Sequence, residues 1–135
     1  MLSYEKIKKI CCEELGNSPN ILFGSIYGSY AGNRQREGSD IDIAVSGKQK
    51  LSAEQKYEII QKLSDKLKKQ VDLIDLQAVS GVVLHQALTK GKPFFIKSKE
   101  LYAEIIKRML YNQADMMPNY NMILKKRRER FINEK

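Results

Sequence analysis

The opening segment sets apolar residues at helical spacing: Ile7, Ile10, Cys11 and Leu15 predict an amphipathic helix over residues 3–15. Gly16-Asn17-Ser18-Pro19-Asn20 ends it with turn-forming residues. Ile21–Tyr27 is a short apolar run bounded by such residues, the pattern of a buried strand, and Gly28-Ser29 follows at once. Ile41–Val45 predicts a second strand with Asp40 and Asp42 at its start. Ser52 and Gln55 form a Ser-x-x-Gln capping pattern. The helix they open carries Ile60, Leu63 and Leu67 on one side and runs to about Lys68. Val71–Leu76 predicts a third strand, and a helix from about Val79 to Thr89 is expected to end with Gly91 as its C-terminal cap. Pro93–Ile96 suits a short edge strand, where proline is tolerated. A long helix from Lys99 to about Met116 precedes Pro118, and a basic helix from Asn119 to about Ile132 closes the pattern.

Helix, strand, short connection, strand, helix, strand and then helices describe an α/β (α+β) fold. The expectation is a small mixed β-sheet flanked by helices, one domain over residues 1–135, with residues 98–135 as a helical C-terminal extension. No internal repeat or low-complexity linker interrupts it.

Composition narrows the setting. The chain is 42% hydrophobic and 30% charged, ordinary for a globular protein. No stretch approaches the roughly 20 apolar residues of a membrane-spanning helix, and the N-terminus runs straight into the amphipathic pattern, unlike a signal peptide. The adjacent Cys11 and Cys12 supply no framework for tying distant segments together. A reducing cytoplasm is the expected location. The net charge of +8 attracts phosphates without choosing among nucleotides, nucleic acids and acidic proteins. Part of the excess lies in Lys125, Lys126, Arg127, Arg128, Arg130 and Lys135, which read equally as a solvated helix face or a docking surface.

The chemistry concentrates between residues 28 and 43. Side chains alternate along a strand, so Asp40 and Asp42 share a face. Two neighbouring carboxylates repel, which raises a pKa and costs stability unless a cation compensates; an all-oxygen ligand set favours magnesium or manganese. Asp-x-Asp alone is a weak pattern. Gly28 after a buried strand lets backbone amides approach a phosphate, and the Ser29 hydroxyl adds a donor. A helix starting at Ser29 or Tyr30 would add its N-terminal dipole. A third carboxylate suits the activation of an attacking hydroxyl. Asp72 lies amid Val71, Leu73 and Ile74, and Asp75, three residues on, takes the opposite face. Asp72 is the expected third member; the alternative for it is a strand-end aspartate bonded to a nearby amide.

Gly-Ser, ten residues, Asp-x-Asp and a later strand aspartate resemble the minimal nucleotidyltransferases of the DNA polymerase β superfamily. The chain length, the Val-Asp-Leu-Ile-Asp-Leu strand at 71–76 and the helical tail look like the MntA-type antitoxins. The resemblance implies the polymerase β-like nucleotidyltransferase fold and a protein adenylyltransferase, with ATP as substrate and Mg2+ (or Mn2+) as cofactor. It also implies a partner, a HEPN-domain RNase toxin silenced by transfer of AMP to a tyrosine hydroxyl. Gly28 and Ser29 match the nucleotide-binding positions, Asp40 and Asp42 the catalytic metal ligands, and Asp72 the third carboxylate, a further metal ligand and general base. Where the family reads Gly-Ser-x-Ala-Arg-Gly, this chain has Gly32-Asn33 in the last two places. Asn33 tolerates a left-handed backbone, and Arg34 or Arg36 is placed to reach the triphosphate instead.

Nucleotide transfer to a small molecule or an RNA 3′ end is the alternative within enzymes, and a non-catalytic antitoxin acting by steric cover is the alternative outside them. The first usually needs a substrate domain for which little chain remains after residue 97, and the second has no use for a repulsive acidic cluster. Direct nucleic-acid binding is suggested by charge and disfavoured by the lack of an aromatic stacking platform. His85, the single histidine, reads as an ordinary helix residue, and Cys11 and Cys12 as plain helix residues. Tyr102, Tyr111 and Tyr120 read as packing and interface, and Met109, Met116, Met117 and Met122 as adaptable apolar contacts.

Overall fold

The structure is a computed structural model that describes residues 3–32 and 40–111, with the Ser29 side chain excepted. The expectations for Asn33, Arg34, Arg36, the Met116, Met117, Tyr120 and Met122 positions, the end of the long helix, the basic helix at 119–132 and its cationic run lie outside the described residues.

Ser3 starts α1 (Tyr4–Leu15) by accepting a hydrogen bond from the Lys6 amide at 3.3 Å, and Ile7, Cys11 and Leu15 turn inward. The chain then forms β1 (Phe23–Tyr27), a turn of 3₁₀ helix at Gly28–Tyr30, and β2 (Ile41–Ser46). Ser52 opens α2 (Ala53–Leu67) with a complete capping box: its hydroxyl accepts from the Gln55 amide at 3.1 Å, and its own amide donates to Gln55 Oε1 at 2.9 Å. β3 (Val71–Asp75), α3 (Gly81–Lys90), β4 (Lys92–Ile96) and a helix α4 over residues 99–111 follow.

The strands make one mixed sheet in the order β3-β2-β1-β4. β1 is antiparallel to β2 and β4, and the α2 crossover makes β2 and β3 parallel. Alternation divides the sheet's faces between two cores. Ile26, Ile41, Ile43, Val71 and Leu73 pack with Ile7, Cys11 and Leu63 of α1 and α2. Phe23 and Ala44 pack with Leu84 and Ala87 of α3 and with Leu101, Ile105 and Met109 of α4. The ring of Phe23 stacks on Tyr102, centroids 5.2 Å apart. The described part of the C-terminal extension is thus built into the sheet's second core.

Gly91 is the C-cap of α3, as expected, with an extended backbone at φ −81° and ψ 158°. Its lack of a side chain is needed for space, because a Cβ there would meet the Ala87 carbonyl. A left-handed cap occurs at Lys68, φ 55°, at the end of α2. One local expectation is corrected. The short 3₁₀ turn at Gly28–Tyr30 replaces the helix considered at Ser29 or Tyr30, so no long stack of aligned peptides stands behind it.

Candidate active site

The sheet register gathers the site. Tyr27 pairs with Asp42 across β1 and β2, and Asp42 pairs with Asp72 across β2 and β3. The three form one row, at the C-terminal end of β1 and the N-terminal ends of β2 and β3, on the face of the second core. Asp40 lies just before β2, exposed, two residues from Asp42. Asp42 is half-buried and Asp72 exposed.

Gly28 leaves β1 at φ +74°, a backbone that favours glycine, and a Cβ there would collide with the Asp42 carboxylate. Sequence and local geometry therefore agree: glycine provides both the turn and the room beside the acid. The Gly32 amide closes back on the Gly28 carbonyl at 3.2 Å. A helical turn this short leaves its first amides without partners inside the turn, available to an anion.

Burial holds the Asp42 carboxyl above the usual carboxylate range, and the negative charges of Asp72 and Asp40 push it further. The Tyr27 phenol is also pushed up, first by burial and then by Asp42 and Asp72. Both shifts mark a place where negative charge is crowded and partly desolvated.

Asp75 serves a different end. Nearly fully buried on the opposite face, its carboxylate accepts the amides of Leu51 at 2.7 Å and Gln77 at 2.9 Å. The role of an aspartate bonded to nearby backbone belongs to Asp75, and Asp72 is left beside Asp42. Gln77 continues that network to Ser46 Oγ at 3.2 Å and the Gly47 carbonyl at 2.9 Å, and accepts from Arg108 of α4 at 3.1 Å. Arg108 also donates to the Leu76 carbonyl.

Among the described residues no three acids, histidines or cysteines are drawn together as a ready-made metal cage. Magnesium does not require one: it binds through one or two carboxylates and takes its remaining ligands from water and substrate phosphates. Crowded hard oxygens at Asp40, Asp42 and Asp72, beside a phosphate-accessible turn at Gly28, fit that mode.

Tyr27 was not legible as part of the site from composition; the signal was its position immediately before Gly28. His85 is half-buried on α3, its carbonyl accepting from Thr89 Oγ1 at 2.7 Å. Cys11 and Cys12 are free thiols. No described helix is long and apolar enough to cross a membrane.

A glycine turn faces a strand carboxylate, and a second carboxylate stands on the adjoining parallel strand. The chain belongs to the Polymerase beta, Nucleotidyltransferase family, which residues 5–100 match. It is 40% identical over 76 residues to the protein adenylyltransferase MntA of Shewanella oneidensis, a match spanning 56% of this chain and about half, 55%, of that relative. Among solved structures, a chain of a toxin–antitoxin with AMP-PNP superposes with a TM-score of 0.69 at 31% identity, covering 91% of this chain and 99% of that one. A chain from the tri-AMPylated Shewanella oneidensis HEPN toxin in complex with MNT antitoxin gives 0.67 at 28%, covering 90% and 98%. These likenesses agree with the mixed α/β fold expected from the sequence.

Proposed function

We propose that this chain is an antitoxin-type protein adenylyltransferase that transfers AMP from ATP to a tyrosine hydroxyl of a HEPN-domain toxin in the cytoplasm. The observation that carries the reading is that Gly28, just after β1, lies against the Asp42 carboxylate while Asp72 pairs with Asp42 on the next strand; in this reading they are a phosphate turn, a metal ligand and a base. The named adenylyltransferase relative and the likeness to a complex containing an AMPylated HEPN toxin support the choice of nucleotide and acceptor.

In this reading the amides of the Gly28–Tyr30 turn and the Ser29 hydroxyl bind the triphosphate. Asp40, Asp42 and Asp72 would hold Mg2+, which when bound neutralises phosphate charge and orients the α-phosphate. Asp72 takes the proton of the attacking hydroxyl. The new oxygen–phosphorus bond forms at the α-phosphorus as the bond to the pyrophosphate oxygen breaks, and pyrophosphate leaves.

The test is ATP labelled on its α- or γ-phosphate, incubated with magnesium, this protein and the HEPN-domain protein encoded beside it. Label from the α-phosphate alone on the partner supports the reading. Inhibition of the partner with neither label attached contradicts it and favours steric cover.

A further inference from the structure

The α2–β3 turn has a feature the site chemistry leaves unexplained. Lys68 occupies the left-handed cap at φ 55°, a conformation glycine or asparagine takes with less strain, and Lys69 follows it. A cation near a helix C-terminus is favourable, but Lys66 already provides one in the last turn without strain. Lys66 is 3.9 Å from Glu14, the one ion pair among the described residues.

The turn's place is informative. The Ile41 amide donates to the Gln70 carbonyl at 3.0 Å, which sets residues 68–70 against the start of β2, next to Asp40. Asp72 follows three residues after Lys69 on β3, an edge strand of the described sheet.

Direction follows from phosphoryl chemistry. Gly28 lies on the β1 side of Asp42 and Asp72 on the β3 side, about 10 Å away across two strand spacings. Attacking and leaving oxygens lie roughly in line. With the leaving pyrophosphate cradled at β1, the acceptor enters at β3, beside Lys68 and Lys69.

We propose that Lys68 and Lys69 form a cationic lip that docks an acidic segment of the acceptor protein next to its accepting hydroxyl, along the β3 edge. This rests on the adenylyltransferase reading, whose acceptor it describes. A protein segment suits the place better than the nucleotide, because the triphosphate cradle is on the other side of Asp42. Cations at the lip offset the repulsion between an acidic segment and the three site carboxylates, and the β3 edge, unpaired among the described residues, offers backbone hydrogen bonds to an extended chain.

The test compares the wild-type protein with Lys68→Glu/Lys69→Glu and with Lys68→Gly/Lys69→Gln, the latter easing the strained position so that folding is retained. Transfer to the HEPN-domain partner is measured against partner concentration and salt, and binding of AMP-PNP with magnesium is measured by calorimetry. The expected result is a partner KM raised about tenfold or more by charge reversal, a smaller rise with Lys68→Gly/Lys69→Gln, a flatter salt dependence in both, and AMP-PNP affinity within twofold of wild type. An unchanged partner KM overturns the proposal. So does a loss of AMP-PNP affinity, which would assign the lip to nucleotide phosphates, or a loss confined to binding of a single-stranded RNA oligonucleotide. If the wild-type protein transfers no AMP, the adenylyltransferase reading fails separately; titrating the partner into wild type and variants then still decides the lip.

Discussion

Asp72 stands directly beside Asp42 in the parallel register of β2 and β3, while Asp75, on the same strand, is buried on the other face under two backbone amides. The two aspartates should therefore respond oppositely to removal. Asp72→Asn takes away a charge that repels Asp42, so the metal-free protein should keep or slightly gain stability, by up to about 1 kcal/mol, while transfer falls by at least about a hundredfold. Asp75→Ala orphans the Leu51 and Gln77 amides and should cost about 1–3 kcal/mol, with activity per folded molecule retained. Urea denaturation together with a transfer assay separates the two.

Gly28→Ala places a Cβ in a left-handed backbone and against the Asp42 carboxylate. Stability should fall by about 1–2 kcal/mol, and AMP-PNP binding, followed by calorimetry in magnesium, should weaken at least tenfold. Near-wild-type affinity would remove the turn from the nucleotide site.

Lys68→Gly should stabilise the protein by about 0.5–1 kcal/mol, since relief of left-handed strain exceeds the added freedom of the unfolded chain. The check is the urea midpoint. A stabilised variant with weaker use of the partner would show a residue kept at the expense of stability.

Burial pushes the Cys11 thiol up to about 12, with the neighbouring Cys12 adding to the shift. A thiol whose folded pKa is raised favours the folded state fully below its unfolded value of about 8.5, and that contribution is lost as pH rises through the folded value. At pH 8, iodoacetamide should therefore spare Cys11 until denaturant is added, as peptide mass mapping would show, and stability should decline between about pH 8.5 and 12.

Much of this was legible in the sequence because it depends on local periods. Strand alternation alone separated Asp72 from Asp75, and Ser52-x-x-Gln55 marked the start of α2. What lay beyond reach was the pairing between strands. Nothing local states that Tyr27 meets Asp42, or that Asp42 meets Asp72, because that register depends on the α2 crossover and the β1–β2 connection. The cap at the end of α2 was hidden for another reason: Lys68 takes a left-handed conformation that lysine disfavours, closing the helix with a bond from its amide to the Ser64 carbonyl at 2.8 Å. Gln77 and Arg108, 31 residues apart, likewise become partners only when α4 crosses the second core.

The most direct test of the Gly28–Asp42–Asp72 site is intact mass spectrometry of the HEPN-domain protein proposed as its partner, after incubation with ATP, magnesium and this protein. The expected result is one or more AMP-sized increments on the partner with the wild-type chain, and none with Asp40→Ala/Asp42→Ala folded to the same thermal midpoint or higher. Increments that persist in that variant would contradict the account.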